Sequence, residues 1–326
     1  MIEIGLNAVI VAVADPHPQV LTIAPPGGGV PPALPFGPFD PTRHRTFEIG
    51  LREWVEEQTA LRLGYVEQLY TFGDRGRHHI HSDDGPHVVS VGYLALARQT
   101  ARSDAALAQQ NARWRSWYSF FPWEDWRAGV PDVVAAEIMP ALSAWMRAPV
   151  PAGSPPRAQS REDRVRQAFN LQGLDEEGAG WDEEKVLDRY ELLYEAGLVE
   201  EARRDGRPAA LERDCLPGLG LAMHYDHRRI LATAISRLRA KLKYRPVVFE
   251  LMPPTFTLTD LQRCVEAISG RHLHKQNFRR LVEKGDLVEA TGETSTATGG
   301  RPAALFRFRR DVLKERPTLG LRVGGR

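Results

Sequence analysis

Two stretches of this chain set chemically capable side chains at helical spacing. Residues 274–285 read H-K-Q-N-F-R-R-L-V-E-K-G. Phe278, Leu281 and Val282 form one apolar side, which leaves Lys275, Gln276, Asn277, Arg279 and Arg280 near or on the other. Asn and Gln make paired hydrogen bonds to adenine, and Arg to guanine or to phosphate. Further on, Gly300-Arg301-Pro302 sets Arg301 at a turn, where a cation can meet a phosphate or enter a minor groove. The second stretch, residues 50–61, reads G-L-R-E-W-V-E-E-Q-T-A-L. Glu53, Glu56 and Glu57 on one helix can hold a cation such as Mg²⁺, or can simply form a solvated acidic face. Arg52 beside them suits an internal ion pair that orients the helix. Arg75 and Arg77, on a polar loop, can meet phosphates or stand in water. His78, His79 and His81 share that loop but have no matching fourth ligand nearby, so they do not make a metal site.

The elements around residues 275–280 explain how they are presented. Val247 opens a short apolar segment expected as a strand. Thr259 with Gln262 forms a capping box, and Leu261, Cys264, Val265 and Ile268 form the buried stripe of a helix that Gly270 ends. The second helix starts near His274. A hairpin follows, from D-L-V-E-A-T-G to G-G-R-P-A-A-L-F-R-F-R-R, in which Arg307, Arg309 and Arg310 read singly as solvated charges. Strand, helix, helix and hairpin is the order of a winged helix-turn-helix, whose second helix meets base edges at its N-terminal end. The alternative use of such a module is protein contact. Ahead of it, Asp226 caps H-R-R-I-L-A-T-A-I-S-R-L-R-A-K-L-K-Y. There Leu231, Ile235, Leu238 and Leu242 make one stripe, the basic residues are expected on the other side, and Pro246 is the stop. Such a helix can join two domains or pair with its copy.

The N-terminal part reads as mixed α/β. N-A-V-I-V-A-V and Q-V-L-T-I flank the turn A-D-P-H-P, and a Pro/Gly-rich loop follows. Residues 46–61 are helical, and strands are expected around Val66–Phe72 and Val88–Leu96. Residues 103–147 read as mostly helical and hold five of the seven tryptophans, interrupted by W-Y-S-F-F-P-W-E-D-W-R, a run that belongs to a core or an interface. Pro149–Ser160 is the candidate linker. After it, a helix, a Gly stop and the text L-V-E-E-A…G-R-P-A-A-L parallel the later L-V-E-K-G-D-L-V-E-A…G-R-P-A-A-L, which leaves open a second, degenerate winged unit without basic residues. The division expected is 1–148, 149–225 as linker and helix-hairpin region, and 226–326.

Composition narrows the classes. The 326 residues are 42% hydrophobic and 26% charged, as in a water-soluble globular chain, with two cysteines far apart and no zinc spacing. No signal peptide or membrane-length apolar run is legible, so a cytoplasmic protein without a membrane partner is expected. Net charge is only +1, yet Pro246–Arg326 holds 14 Lys and Arg against 9 Asp and Glu. A locally basic end suits phosphate contact by one domain.

Residues 52–57 match R-E-U-x-E-E of the Nudix box, G-x5-E-x7-R-E-U-x-E-E-x-G-U. His44 stands at the upstream Glu position, Pro38 at the upstream Gly and Thr59 at the late Gly. The last hundred residues, with D-H-R-R-I-L-A-T-A-I-S-R-L-R-A-K-L-K-Y-R-P-V-V-F-E-L-M-P-P-T-F-T-L-T-D-L-Q, K-Q-N-F-R-R and G-R-P-A-A-L-F-R-F, resemble the Nudix-related transcriptional regulators of NAD metabolism, and the chain's length resembles the longer, NadQ-like branch (NrtR/NadQ-like). The resemblance implies an α/β plus α+β protein: an N-terminal Nudix-like α/β/α sandwich domain and a C-terminal winged helix-turn-helix. It implies a homodimeric repressor of NAD synthesis or salvage genes, with double-stranded operator DNA as partner. The effector would be an adenine nucleotide (ADP-ribose, NAD or ATP, with or without Mg²⁺), met by Arg52, Glu53, Glu56, Glu57, Arg75 and Arg77, and no cofactor would be required. An active Nudix hydrolase of ADP-ribose or a related nucleotide with an accessory winged domain is the alternative. The retained glutamates favour it and His44 opposes it. A regulator with a vestigial pocket that answers a protein partner is the third reading.

Overall fold

The computed structural model describes residues 2–14, 16–25, 29–74, 87–150, 159–170, 181–243, 246–295 and 302–309. Its N-terminal half is built on a mixed sheet of six strands: β1 (Ile2–Ala14), β2 (His17–Ile23), β3 (Phe36–Pro38), β4 (Val66–Phe72), β5 (His87–Leu96) and β6 (Ala112–Ser116). Along the sheet the order is β4-β5-β1-β2-β6, with β3 pairing against β1. β1 and β5 run parallel, Ile2 opposite His87 through Val11 opposite Leu96, and the other pairs are antiparallel.

Strand alternation gives the sheet two apolar faces. Leu6, Ala8, Ile10, Leu21, Val91, Tyr93 and Ala95 point to one side, where Leu51 and Val55 of α1 (Phe47–Thr59) cover them. Val9, Val11, Val20, Leu94 and Leu96 point to the other and join the larger core. That core includes α8 (His227–Leu242), whose Ile230 lies so close to β5 that a Cβ on Gly92 would come within 3.0 Å of it. The result is a helix-sheet-helix sandwich, as expected. The hairpin, the residue 47–59 helix and the two later strands lie where the sequence pattern places them. The expected helical reading of 103–147 is corrected at β6, which pairs with β2 after the short helix α2 (Ala101–Gln109). Its text, A-R-W-R-S, alternates Ala and Trp with Arg over only five residues, too short a pattern to stand out from the helical text around it.

The aromatic run is core. Trp117, Phe120, Phe121 and Trp123 are fully buried, in tight turns that precede α3 (Met139–Arg147). The next segment contributes α4 (Arg161–Phe169), α5 (Val186–Glu195), α6 (Glu200–Arg204) and α7 (Pro208–Leu211). Here the expected strand and hairpin are wrong: L-V-E-E-A leads into α6, and G-R-P-A-A-L forms α7. Arg-Pro therefore starts a helix in this copy, because Pro208 sits at its first turn, where its missing N–H costs nothing. Among the described residues the segment forms no second winged unit. Of the expected linker, residues 151–158 lie outside the described residues.

α8 also corrects the sequence reading. Its leucine and isoleucine stripe is buried as expected, but Arg228 and Arg239, expected in solvent, are 1% exposed. Asp226 occupies the N-cap position without a capping bond and pairs with Arg229 at 3.3 Å instead.

The C-terminal domain follows the winged order, with α9 (Leu258–Ser269), α10 (Lys275–Gly285), β7 (Val288–Ser295) and β8 (Ala303–Phe308). Val247–Glu250 is a 3₁₀ turn rather than a strand. The capping box is Thr257 with Asp260, two residues before the expected pair: Asp260 N–H donates to Thr257 Oγ1 at 3.1 Å and Thr257 N–H to Asp260 Oδ2 at 2.9 Å. The extended chain ends at Phe256, which still pairs with Phe306, so the helix must begin at the next residue.

Candidate nucleic-acid interface

Helix α10 packs through Phe278 and Val282, 2% and 1% exposed, against α9 and the hairpin. Lys275, Gln276, Asn277, Arg279 and Arg280 are all exposed. The turn before α10 fixes their aim. Gln262 Nε2 donates to Leu273 O at 2.7 Å, and Leu273 N–H donates to Glu266 Oε1 at 2.8 Å. Gly270 ends α9 at φ 74°, in the left-handed region. Lys275 and Arg279 also border a groove of about 670 Å³ with Arg263, Thr259 and Pro302, between the two helices and the hairpin. Within the wing, Arg307 pairs with Glu289 at 2.6 Å and Arg309 with Asp286, so these two cations are already met. Arg301 and Arg310 lie outside the described residues. The geometry is a rigid helix whose outer face carries amide and cationic donors with no acidic counterpart among the five, which can follow a polyanion and touch base edges.

Where this module joins the rest is a buried ionic knot. Glu124, fully buried, accepts from Arg189 (Nε to Oε1, 2.6 Å) and from Arg239 (Nη1 to Oε2, 2.7 Å). Arg239 Nε donates to Ile268 O at 2.9 Å, Tyr118 Oη to Ala267 O at 2.7 Å, and Trp126 N–H to Gly270 O at 2.8 Å. The aromatic run thus grips the end of α9 directly. Burial pushes the Tyr118 phenol above its ordinary value, so it stays protonated as a donor.

On the box helix α1, Arg52 donates to Glu48 Oε1 at 2.9 Å and to the carbonyls of Leu63 and Gly64, which is the orienting role the sequence suggested. Glu53 meets Arg43 at 2.5 Å, and its other oxygen lies 3.1 Å from His44 Nε2, without the alignment of a hydrogen bond. Glu56 meets Arg62 at 2.9 Å, and Glu57 is exposed. No group of three or more His, Cys, Asp and Glu among the described residues is arranged to hold a metal ion. Arg75 and Arg77, with His78, His79 and His81, lie outside the described residues.

Sequence reasoning missed a cavity of about 210 Å³ between β1, β3, β5 and the start of α8, lined among others by Glu3, Asn7, Phe36, Ser90, Tyr225 and His227. None of Arg52, Glu53, Glu56 or Glu57 lines it. β3 separates the two: Trp54 Nε1 and Gln58 Nε2 of α1 donate to Pro38 O and Phe36 O behind it. Phe36 packs edge-on against Tyr225 and His227, with ring centres 5.7 and 5.1 Å apart. His227 Nδ1 accepts from Leu34 N–H at 3.0 Å. Burial, with Arg204 nearby, holds neighbouring His224 below the ordinary imidazole value. No local signal could have found this set, because its aromatic walls come from segments far apart in the chain.

Residues 248–308 match the family model of the NrtR DNA-binding winged helix domain. Over 90 residues the chain is 43% identical to the ADPR responsive transcriptional repressor NtrR of Acinetobacter baylyi. Residues 248–308 thus form a winged helix domain of the NrtR type. The alignment with that repressor spans 28% of this chain and 36% of the relative, about a third of its length. Across 95% of both chains the fold resembles Shewanella oneidensis NrtR in complex with a 27mer DNA, at 20% identity and a TM-score of 0.52; the same protein without DNA covers 94% of both at the same identity and TM-score. The family's architecture, a Nudix-like mixed-sheet domain followed by a winged helix domain, is the one described above. No helix among the described residues is long and apolar enough to cross a membrane.

Proposed function

We propose that this protein is a transcriptional repressor that binds operator DNA through α10 and the wing and answers an adenine nucleotide, ADP-ribose first among them, in its Nudix-like domain. The observation that carries the reading is the outward row Lys275, Gln276, Asn277, Arg279 and Arg280 on the second helix of an NrtR-type winged domain. The A. baylyi relative's name as an ADPR responsive repressor supports the effector class. The aromatic and polar lining of the 210 Å³ cavity suits a nucleobase, and its walls Tyr225 and His227 introduce α8, which runs to the winged domain. A ligand seated there shifts DNA affinity only by its preference for one arrangement of the two winged domains of a homodimer over another. NAD synthesis or salvage genes are the targets this reading names.

The Nudix-like domain is read as a binding module rather than a hydrolase, since Glu53 and Glu56 are engaged by the chain's own cations. The test is a gel shift with the duplex upstream of the protein's own gene, titrated with ADP-ribose, NAD and ATP, beside a phosphate-release assay on the same nucleotides with Mg²⁺. The expected result is a specific complex, a nucleotide-dependent change in its affinity, and no turnover. Equal binding to any duplex, unmoved by all three nucleotides, would refute the reading. Turnover lost in Glu57→Gln would replace it with the hydrolase.

A further inference from the structure

The glutamates of α1 sit where the Nudix pattern uses carboxylates to bind a divalent ion, yet their surroundings in this chain suit a different electrostatics. Both oxygens of Glu53 face a basic side chain from the segment just before the helix, Arg43 at 2.5 Å and His44 at 3.1 Å. Arg62, from just beyond the helix, takes Glu56 at 2.9 Å. A metal ion needs these lone pairs, and it would have to displace a guanidinium from each carboxylate to reach them.

His44 is not free to leave. It is 2% exposed, and its Nδ1 accepts the Asp40 N–H at 3.1 Å. Phe39 lies against the ring at 5.8 Å, and a Cβ at Gly50 would come within 2.7 Å of Nδ1. Thr42 steadies the preceding turn: its hydroxyl and amide both donate to Asp40 Oδ1, at 2.6 and 2.8 Å, and hold that carboxyl below its ordinary value. Because Nδ1 accepts, the imidazole hydrogen is on Nε2, on the side of Glu53. The position where the box pattern has a carboxylate is thus held by an imidazole N–H, fixed by a tight packing that required glycine at residue 50.

We propose that protein side chains stand in for the divalent ion in this box: Arg43 neutralises Glu53 with the Nε2–H edge of His44 beside it, Arg62 neutralises Glu56, and the domain binds its nucleotide without a metal. The nucleotide part rests on the function proposed above; the metal part does not. Arg43 is the cation best placed to serve both, since its side chain is 55% exposed and can offer its remaining N–H groups to a phosphate while holding Glu53.

Two measurements on the full chain test this. The first follows Mn²⁺ by electron paramagnetic resonance. Wild type should show no saturable site up to millimolar ion, whereas Arg43→Ala, and more so Arg43→Ala with His44→Glu, should gain one that Glu53→Gln removes. A stoichiometric Mn²⁺ site in wild type that Glu53→Gln abolishes would overturn the proposal. Arg43 is exposed, so the single variant tests the idea even if the buried double variant does not fold. The second is calorimetry with ADP-ribose in Mg²⁺ and in EDTA. Affinity should agree within about twofold, and a loss of about tenfold or more in EDTA would overturn the metal-free mode. If no nucleotide binds in either buffer, the effector reading falls, while the Mn²⁺ titration still decides the electrostatic one.

Discussion

Helices α8 and α10 look alike in composition, and the structure treats their cations in opposite ways. On α8, Arg228 and Arg239 are interior. Arg228 donates to Phe120 O and Leu219 O and pairs with Glu201 at 3.2 Å, among the rings of Phe121, Trp123 and Tyr190. Arg239 is bound to Glu124 and to the end of α9. On α10, Lys275, Arg279 and Arg280 stand in water. A guanidinium takes whichever acceptors the fold supplies. Where the chain surrounds it with carbonyls and a carboxylate, it becomes structure; where the chain supplies none, it remains available to an outside polyanion. The α1 box lies between these limits, its carboxylates met at the surface by Arg43 and Arg62.

The sharpest way to break the comparison is at Glu124. Glu124→Ala leaves the buried guanidiniums of Arg189 and Arg239 without their carboxylate, and we expect a loss of roughly 3–5 kcal/mol in denaturant unfolding. A loss no larger than that of a surface substitution would show that the knot is not a structural tie. On α10 the expected outcome is reversed. Asn277→Ala and Arg280→Ala should leave unfolding unchanged and weaken operator binding by roughly 1–3 kcal/mol for each true base contact. Lys275→Ala should flatten the salt dependence of binding by about one phosphate's worth. Operator affinity equal to wild type in all three would mean that the cations of α10 serve something other than DNA. A smaller effect is expected at Thr257→Ala, which removes the cap of α9 and should cost about 1 kcal/mol of stability. Thr259→Ala, at the cap position the sequence suggested, should leave unfolding unmoved, and the pair of variants discriminates the two helix starts.

Much of the fold was legible where a local signal sufficed. The continuous apolar run at Ala8–Ala12, the helix of residues 47–59 and the glycine stop at Gly270 are written in neighbouring residues. So is the outward set on α10, because Phe278 and Val282 dictate which side goes in. Expectations failed where neighbours say little: the alternation of β6 spans only five residues, and the first G-R-P-A-A-L, at 206–211, took a helix because its flanks were not strands.

By itself, then, the sequence determined which helices are amphipathic, where they end, and that a basic module closes the chain. It could not determine which charges are available. Glu124 is 65 residues from Arg189 and 115 from Arg239, and the aromatic walls of the cavity, Phe36 and Tyr225, come from segments far apart in the chain. Amphipathicity is a property of a few consecutive turns, whereas the state of a charge depends on acceptors and dielectric supplied by remote segments. Only the tertiary structure therefore decided that Arg228 and Arg239 of α8 are buried among the chain's own acceptors and that the arginines of α10 are exposed.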